Sequence, residues 1–149
     1  MGATLEEYRT LLEDEYDWLC QRLQLEPVAL ILTHDNDLKD APRYGGTPRH
    51  IEIPYSDNDL SVIFEASPTS PSGPPTWEDV SPSGRAFWEE WRSTLWHEVS
   101  HQVQDQRGFG WNPMVQDGHD PTWDEALQWM ATQLGCPSGQ MLKRLVPTL

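Results

Sequence analysis

The chain has 149 residues, and its 10 Lys and Arg against 24 Asp and Glu leave a formal net charge of −14. A chain of this length reads as one domain, burying roughly 69% of its unfolded surface, so it needs no disulfide framework or structural metal for want of a core. The acidic balance argues against a nucleic-acid partner, and no apolar run reaches the roughly 18–20 residues that would make it a membrane partner.

The N-terminal Met1-Gly2-Ala3-Thr4-Leu5-Glu6-Glu7 has no basic stretch leading into an apolar one. It does not read as a signal peptide, and a cytoplasmic location is expected. Cys20 and Cys136 belong to no C-x-x-C pair, which excludes a zinc finger or ribbon. Two partly buried thiols are expected, with a bridge between them left open.

In chain order, Thr4-Leu5-Glu6-Glu7 has the form of a capping box, with a hydroxyl and a carboxylate each satisfying an amide donor. Leu5, Tyr8, Leu12, Tyr16, Leu19 and Leu23 then recur at spacings of three and four, predicting an amphipathic helix that Pro27 ends. The acidic group Glu13, Asp14, Glu15 and Asp17 falls to its solvated side. Residues 28–33 form a short apolar run and predict a buried strand. A polar loop covers 34–48, and the alternation of 50–55 predicts a half-buried strand, with Pro54 suiting an edge or a strand end. Residues 60–66 are a third strand candidate. Five prolines between 67 and 84 exclude a helix or central strand and make this a long surface loop.

A long helix is predicted over 85–107, with Trp88, Trp91, Leu95, Val99 and Gln102/Val103 on one face and Gly108 and Gly110 stopping it. Asp120-Pro121 opens a last helix as N-cap and first-turn proline, and Trp123, Leu127, Met130, Ala131 and Leu134 supply its apolar face. A short tail helix is expected over 138–145. Trp77, Trp96 and Trp111 are the aromatic candidates for lining a cleft.

The chemistry sits inside the long helix, at His97-Glu98-Val99-Ser100-His101. Histidines at i and i+4 stand one above the other, so both imidazoles reach one cation. At 100° per residue they lie roughly 200–240° from the apolar stripe centred near Leu95, which points them toward a groove. Glu98 is placed to act as general base on a metal-activated water rather than as a ligand. A catalytic zinc ion takes three protein ligands. His119 stands 18 positions after His101, and Glu125 lies one turn into the last helix. Both residues meet the requirement for a third ligand. His34 and His50 have no ligand-spaced partner and are read as structural or solvent-facing.

H-E-V-S-H on a helix followed by Gly118-His119-Asp120-Pro121-Thr122-Trp123 resembles the SprT-like zinc metallopeptidases, the Spartan-related HExxH zincins. Their usual pattern is H-E-x-x-H followed by G-H-G-x-x-[FW]. Asp120 departs from it, and no four-cysteine zinc ribbon follows. Tyr44-Gly45-Gly46 through Ile53, and Ser93-Thr94-Leu95-Trp96 ahead of the motif, are similar to the family's lead-in segments. The resemblance covers residues 28–134. It implies an α+β zincin-like domain, with a small β-sheet packed against an active-site helix and flanking helices. One Zn2+ would sit on His97, His101 and His119, with Glu98 as general base and a protein or peptide as substrate. The peptide would add to an exposed sheet edge formed by 50–55. Two other readings stand beside it. One is a gluzincin-type regulatory peptidase with Glu125 as third ligand; the other is a non-catalytic interaction or assembly protein stapled by zinc.

Overall fold

The computed structural model describes residues 4–34, 43–57, 60, 93–111, 121–136, 139 and 142. All but the first residue of the expected strand over 60–66, the proline-rich loop over 67–84 and nearly all of the tail helix lie outside them.

Helix α1 (Leu5–Leu23) starts as its sequence dictates. The Thr4 hydroxyl accepts the Glu7 amide at 3.1 Å, and the Glu7 carboxylate accepts the Thr4 amide at 3.0 Å. It ends before Pro27, at Gln24 in a left-handed conformation whose N–H returns to the Cys20 carbonyl. Its buried face carries Tyr8, Leu11, Leu12, Tyr16, Leu19 and Leu23. Glu15 is fully buried, contrary to its expected place on the solvated side. It stands four residues from both Leu11 and Leu19, and so on the face that α1 turns inward.

The described strands form one mixed sheet in the order β1-β3-β2. Strand β1 (Ala29–His34) runs parallel to β3 (His50–Tyr55), with Leu30 opposite Ile51 and Leu32 opposite Ile53. Strand β2 (Arg43–Gly45) lies antiparallel on the other side of β3, with Tyr44 opposite Ile51. Three expectations change. Residues 43–45, read as loop, are a strand. β1 is half-exposed rather than buried, with Ile31 41% exposed, because it is an outer strand of the described sheet. β3 is central, not an edge, so residues 50–52 are paired on both sides and offer a peptide no free edge. Pro54 is accommodated because β2 pairs only with 50–52, leaving 54 beyond its end.

Helix α2 (Ser93–Gln106) is buried along most of its length, between the sheet on one side and α1 and α3 (Pro121–Leu134) on the other. The sheet contributes Ile51 and Ile53 to the core, α2 contributes Leu95, Trp96, Val99 and Val103, and α3 contributes Trp123, Leu127 and Met130. Among the described residues the fold is therefore α+β, three helices on a small mixed sheet. Neither Cys20 nor Cys136 is in a disulfide, and burial pushes the Cys20 thiol up to about 11. No helix among the described residues is long and apolar enough to cross a membrane.

Candidate metal centre

The helical spacing of His97 and His101 brings their rings edge to face, with centroids 4.9 Å apart and the two Nε2 atoms 3.2 Å apart. Two nitrogens on one tetrahedral zinc, each at 2.0–2.1 Å, would stand about 3.3–3.4 Å apart. The pair stands close to that separation, so these two donors fit the ion the motif calls for.

The rings do not face an open groove as expected. His97 is 2% and His101 5% exposed, because α3 lays Trp123 across them. The indole lies 5.5 Å from the His97 ring and stacks on His101 at 22°, centroids 6.1 Å apart. Its Nε1–H donates to Ser100 Oγ at 2.7 Å, and the Ser100 hydroxyl donates to the His97 carbonyl. The serine between the motif's histidines thus docks α3 onto them.

On the remaining side of His101, Nδ1–H donates to Gln104 Oε1 at 2.5 Å, and Gln104 Nε2 donates to Thr122 Oγ1 at 3.0 Å. With the proton on Nδ1, the lone pair of His101 is on Nε2, the nitrogen turned toward His97.

Glu98 is 2% exposed, one position around the helix from His97. Burial raises its carboxyl to about 8, and a hydrogen bond from the Tyr44 backbone N–H works against that rise. Tyr44 is held in turn from α2, where its hydroxyl donates to Asp105 Oδ2 at 2.7 Å. The same oxygen accepts Arg49 Nε–H at 3.1 Å, and the Arg49 guanidinium also donates to the Gly46 carbonyl at 2.7 Å. Gly46 must be glycine here: its φ is +82°, and a Cβ would collide with the His50 ring.

Compared with protein-family models, curated proteins and solved structures, the chain matches none of them. The site therefore stands on its own residues.

The structure brings two of the predicted residues together, His97 and His101, while Glu98, at the next position of the helix, meets the Tyr44 backbone. His119 and Asp120 lie outside the described residues. Glu125 is exposed on α3, two residues and roughly 200° around the helix from Trp123. Among the described residues, no third His, Cys, Asp or Glu joins the pair to complete a ligand set. His34 lies instead against Asp57 at 3.2 Å, and His50 Nδ1 against the Pro48 carbonyl at 3.2 Å. Trp96 is not a cleft residue; it is fully buried, 6.4 Å from Trp18. Trp111 packs on Tyr44 and under Arg49. Trp77, Trp88 and Trp91 lie outside the described residues.

Sequence reasoning passed over Gln104, Ser100 and Tyr44. Gln104 had a legible signal, since i+3 from a histidine places it over the same helical face. Tyr44 had none, because its contribution is a backbone N–H.

Proposed function

We propose that the chain is a zinc-dependent endopeptidase of zincin-like architecture, with His97, His101 and His119 holding the ion and Glu98 as general base. The observation that carries this reading is the approach of two buried imidazole Nε2 atoms to 3.2 Å, with a buried carboxyl at the next position of the same helix. His119 is preferred to Glu125 because Glu125 lies on the far, exposed side of α3 from the ring that packs on the histidines. Zinc, when bound, supplies Lewis acidity for the scissile carbonyl and lowers the pKa of water to about 7.

The chain's own residues do the rest. Glu98 takes a proton from the attacking water and delivers it to the departing amine. In the metal-free chain burial raises its carboxyl to about 8, and a bound cation nearby would favour the carboxylate form that a base needs. The Tyr44 N–H holds the carboxylate toward β2, and Trp123 keeps water off the imidazoles.

The burial of all three residues favours a second reading, a zinc staple without turnover, since catalytic zinc keeps an open position. One experiment separates them. The zinc-loaded chain and its Glu98→Gln variant are given an unfolded protein, with metal content matched. Cleavage by the wild type, lost by 10²- to 10⁴-fold in the variant, is the expected result for an essential general base. Equal absence of cleavage in both would leave the staple. In the same assay His119→Ala should lose zinc and Glu125→Ala retain it; the opposite result would move the third ligand to Glu125.

A further inference from the structure

We propose that Gln104 is the positioning residue of the metal centre: it fixes the tautomer and ring orientation of His101 and couples that ring to the first turn of α3. This rests on the zinc half of the reading above and not on peptide hydrolysis.

Gln104 is fully buried, so water cannot replace either end of its amide. Its carbonyl oxygen can only accept, which places the His101 proton on Nδ1 and the lone pair on Nε2. A reversed amide would donate to Nδ1, move the proton to Nε2 and leave no lone pair directed at the cation position. The Thr122 hydroxyl serves either orientation, because it both donates and accepts. Only the orientation present here suits a metal ligand.

The root of the side chain is as constrained as its tip. The Gln104 backbone carbonyl accepts the amides of Phe109 at 3.0 Å and Gly110 at 3.2 Å, closing the end of α2. That turn abuts α3, since a Cβ on Gly110 would stand 3.5 Å from Thr122 Cγ2. Thr122 is the second residue of α3, so the bond from Gln104 sets the start of that helix against His101. Outer partners of ligating imidazoles ordinarily fix the tautomer, and their loss weakens metal binding by 10- to 100-fold.

The test uses two readouts on the full chain. The first is zinc affinity, by competition with a chromophoric chelator, for wild type, Gln104→Ala, Gln104→Glu and Thr122→Val. The second is the His101 tautomer in the metal-free protein, read from its ring nitrogen shifts by NMR. Gln104→Ala should bind zinc roughly 10- to 100-fold more weakly and lose the pure Nδ1–H tautomer. Gln104→Glu, which can only accept when ionised, should keep both. Thr122→Val should weaken binding by only a few fold. Wild-type affinity and an unchanged tautomer in Gln104→Ala would overturn the proposal. If Gln104→Ala fails to fold, Gln104→Glu losing affinity would overturn it equally. A wild-type chain that binds no zinc would sink the metal reading and leave an N–H···N hydrogen bond between the imidazoles. The NMR tautomer would still decide whether Gln104 orients His101.

Discussion

Two glutamines, Gln102 and Gln104, stand two residues apart on α2, both fully buried, and are put to different uses. Gln102 accepts the Tyr16 hydroxyl at 2.8 Å and donates to the Glu26 carbonyl at 2.8 Å. Tyr16 also accepts the Val28 amide at 2.9 Å, and Gln106 both donates to Glu26 and accepts its amide. That side of α2 closes the connection from α1 to β1, using groups with no charge to gain or lose near neutrality. Gln104, roughly 200° around the helix, directs its amide at a titratable ring and a neighbouring helix. Buried amides are thus used on one side to satisfy backbone that must enter the core and on the other to orient an imidazole. The difference lies in the partners, because the residue type and burial are the same.

The widest separation between the two sides should appear in pH. With its carboxyl raised to about 8 from an ordinary 4.5, Glu98 binds a proton more tightly folded than unfolded. Its contribution to the stability of the metal-free chain is fully present below about pH 4.5 and is lost as pH rises through 8. Urea denaturation should show a decline on the order of a few kcal/mol over that window, absent in Glu98→Gln. A flat profile in the wild type would mean the carboxyl is better solvated than its burial implies.

A smaller effect is expected on the other side. Gln102→Leu strands the Tyr16 hydroxyl proton and should cost about 1–3 kcal/mol in unfolding free energy. Zinc affinity of the folded protein should stay at the wild-type value. A loss of zinc in Gln102→Leu comparable to that in Gln104→Ala would erase the distinction between the two sides.

The smallest effect belongs to the clamp that holds β2 to α2. Arg49 and Asp105 are partly exposed, so Asp105→Asn should cost under about 1 kcal/mol. Its oxygen can still accept the Tyr44 hydroxyl, keeping Glu98 in place. A large loss of cleavage in Asp105→Asn, with zinc retained, would make the charge itself part of how Glu98 is held.

Much of the helical framework was legible because its causes are local. The Thr4 capping box, the stripe from Tyr8 to Leu23, the proline at 121 and the apolar face from Trp123 to Leu134 act through residues one turn apart. The same locality made the His97–His101 pair legible, since its spacing alone aligns the imidazoles. β2 escaped notice because three residues carry no periodic pattern; it exists by pairing with β3 and by the bond from Tyr44 to Asp105, 61 positions away. Glu15 read as solvated because polarity predicts exposure, Gln102 fell on the apolar face, and Gln104 drew no reading. Their burial follows from α1, α2 and α3 being packed together.

By itself the sequence determined that 5–23, 93–106 and 121–134 are helical, where α1 begins, and that two imidazoles and a carboxyl lie within five positions of one helix. Those are consequences of backbone geometry repeated every 3.6 residues. Only the tertiary structure decided that β3 is central, that Trp123 covers the histidines, that the Tyr44 amide meets Glu98 and that Gln104 meets both His101 and Thr122. These contacts join residues from separate elements, and no periodicity within one element specifies the face its neighbour will bring against it.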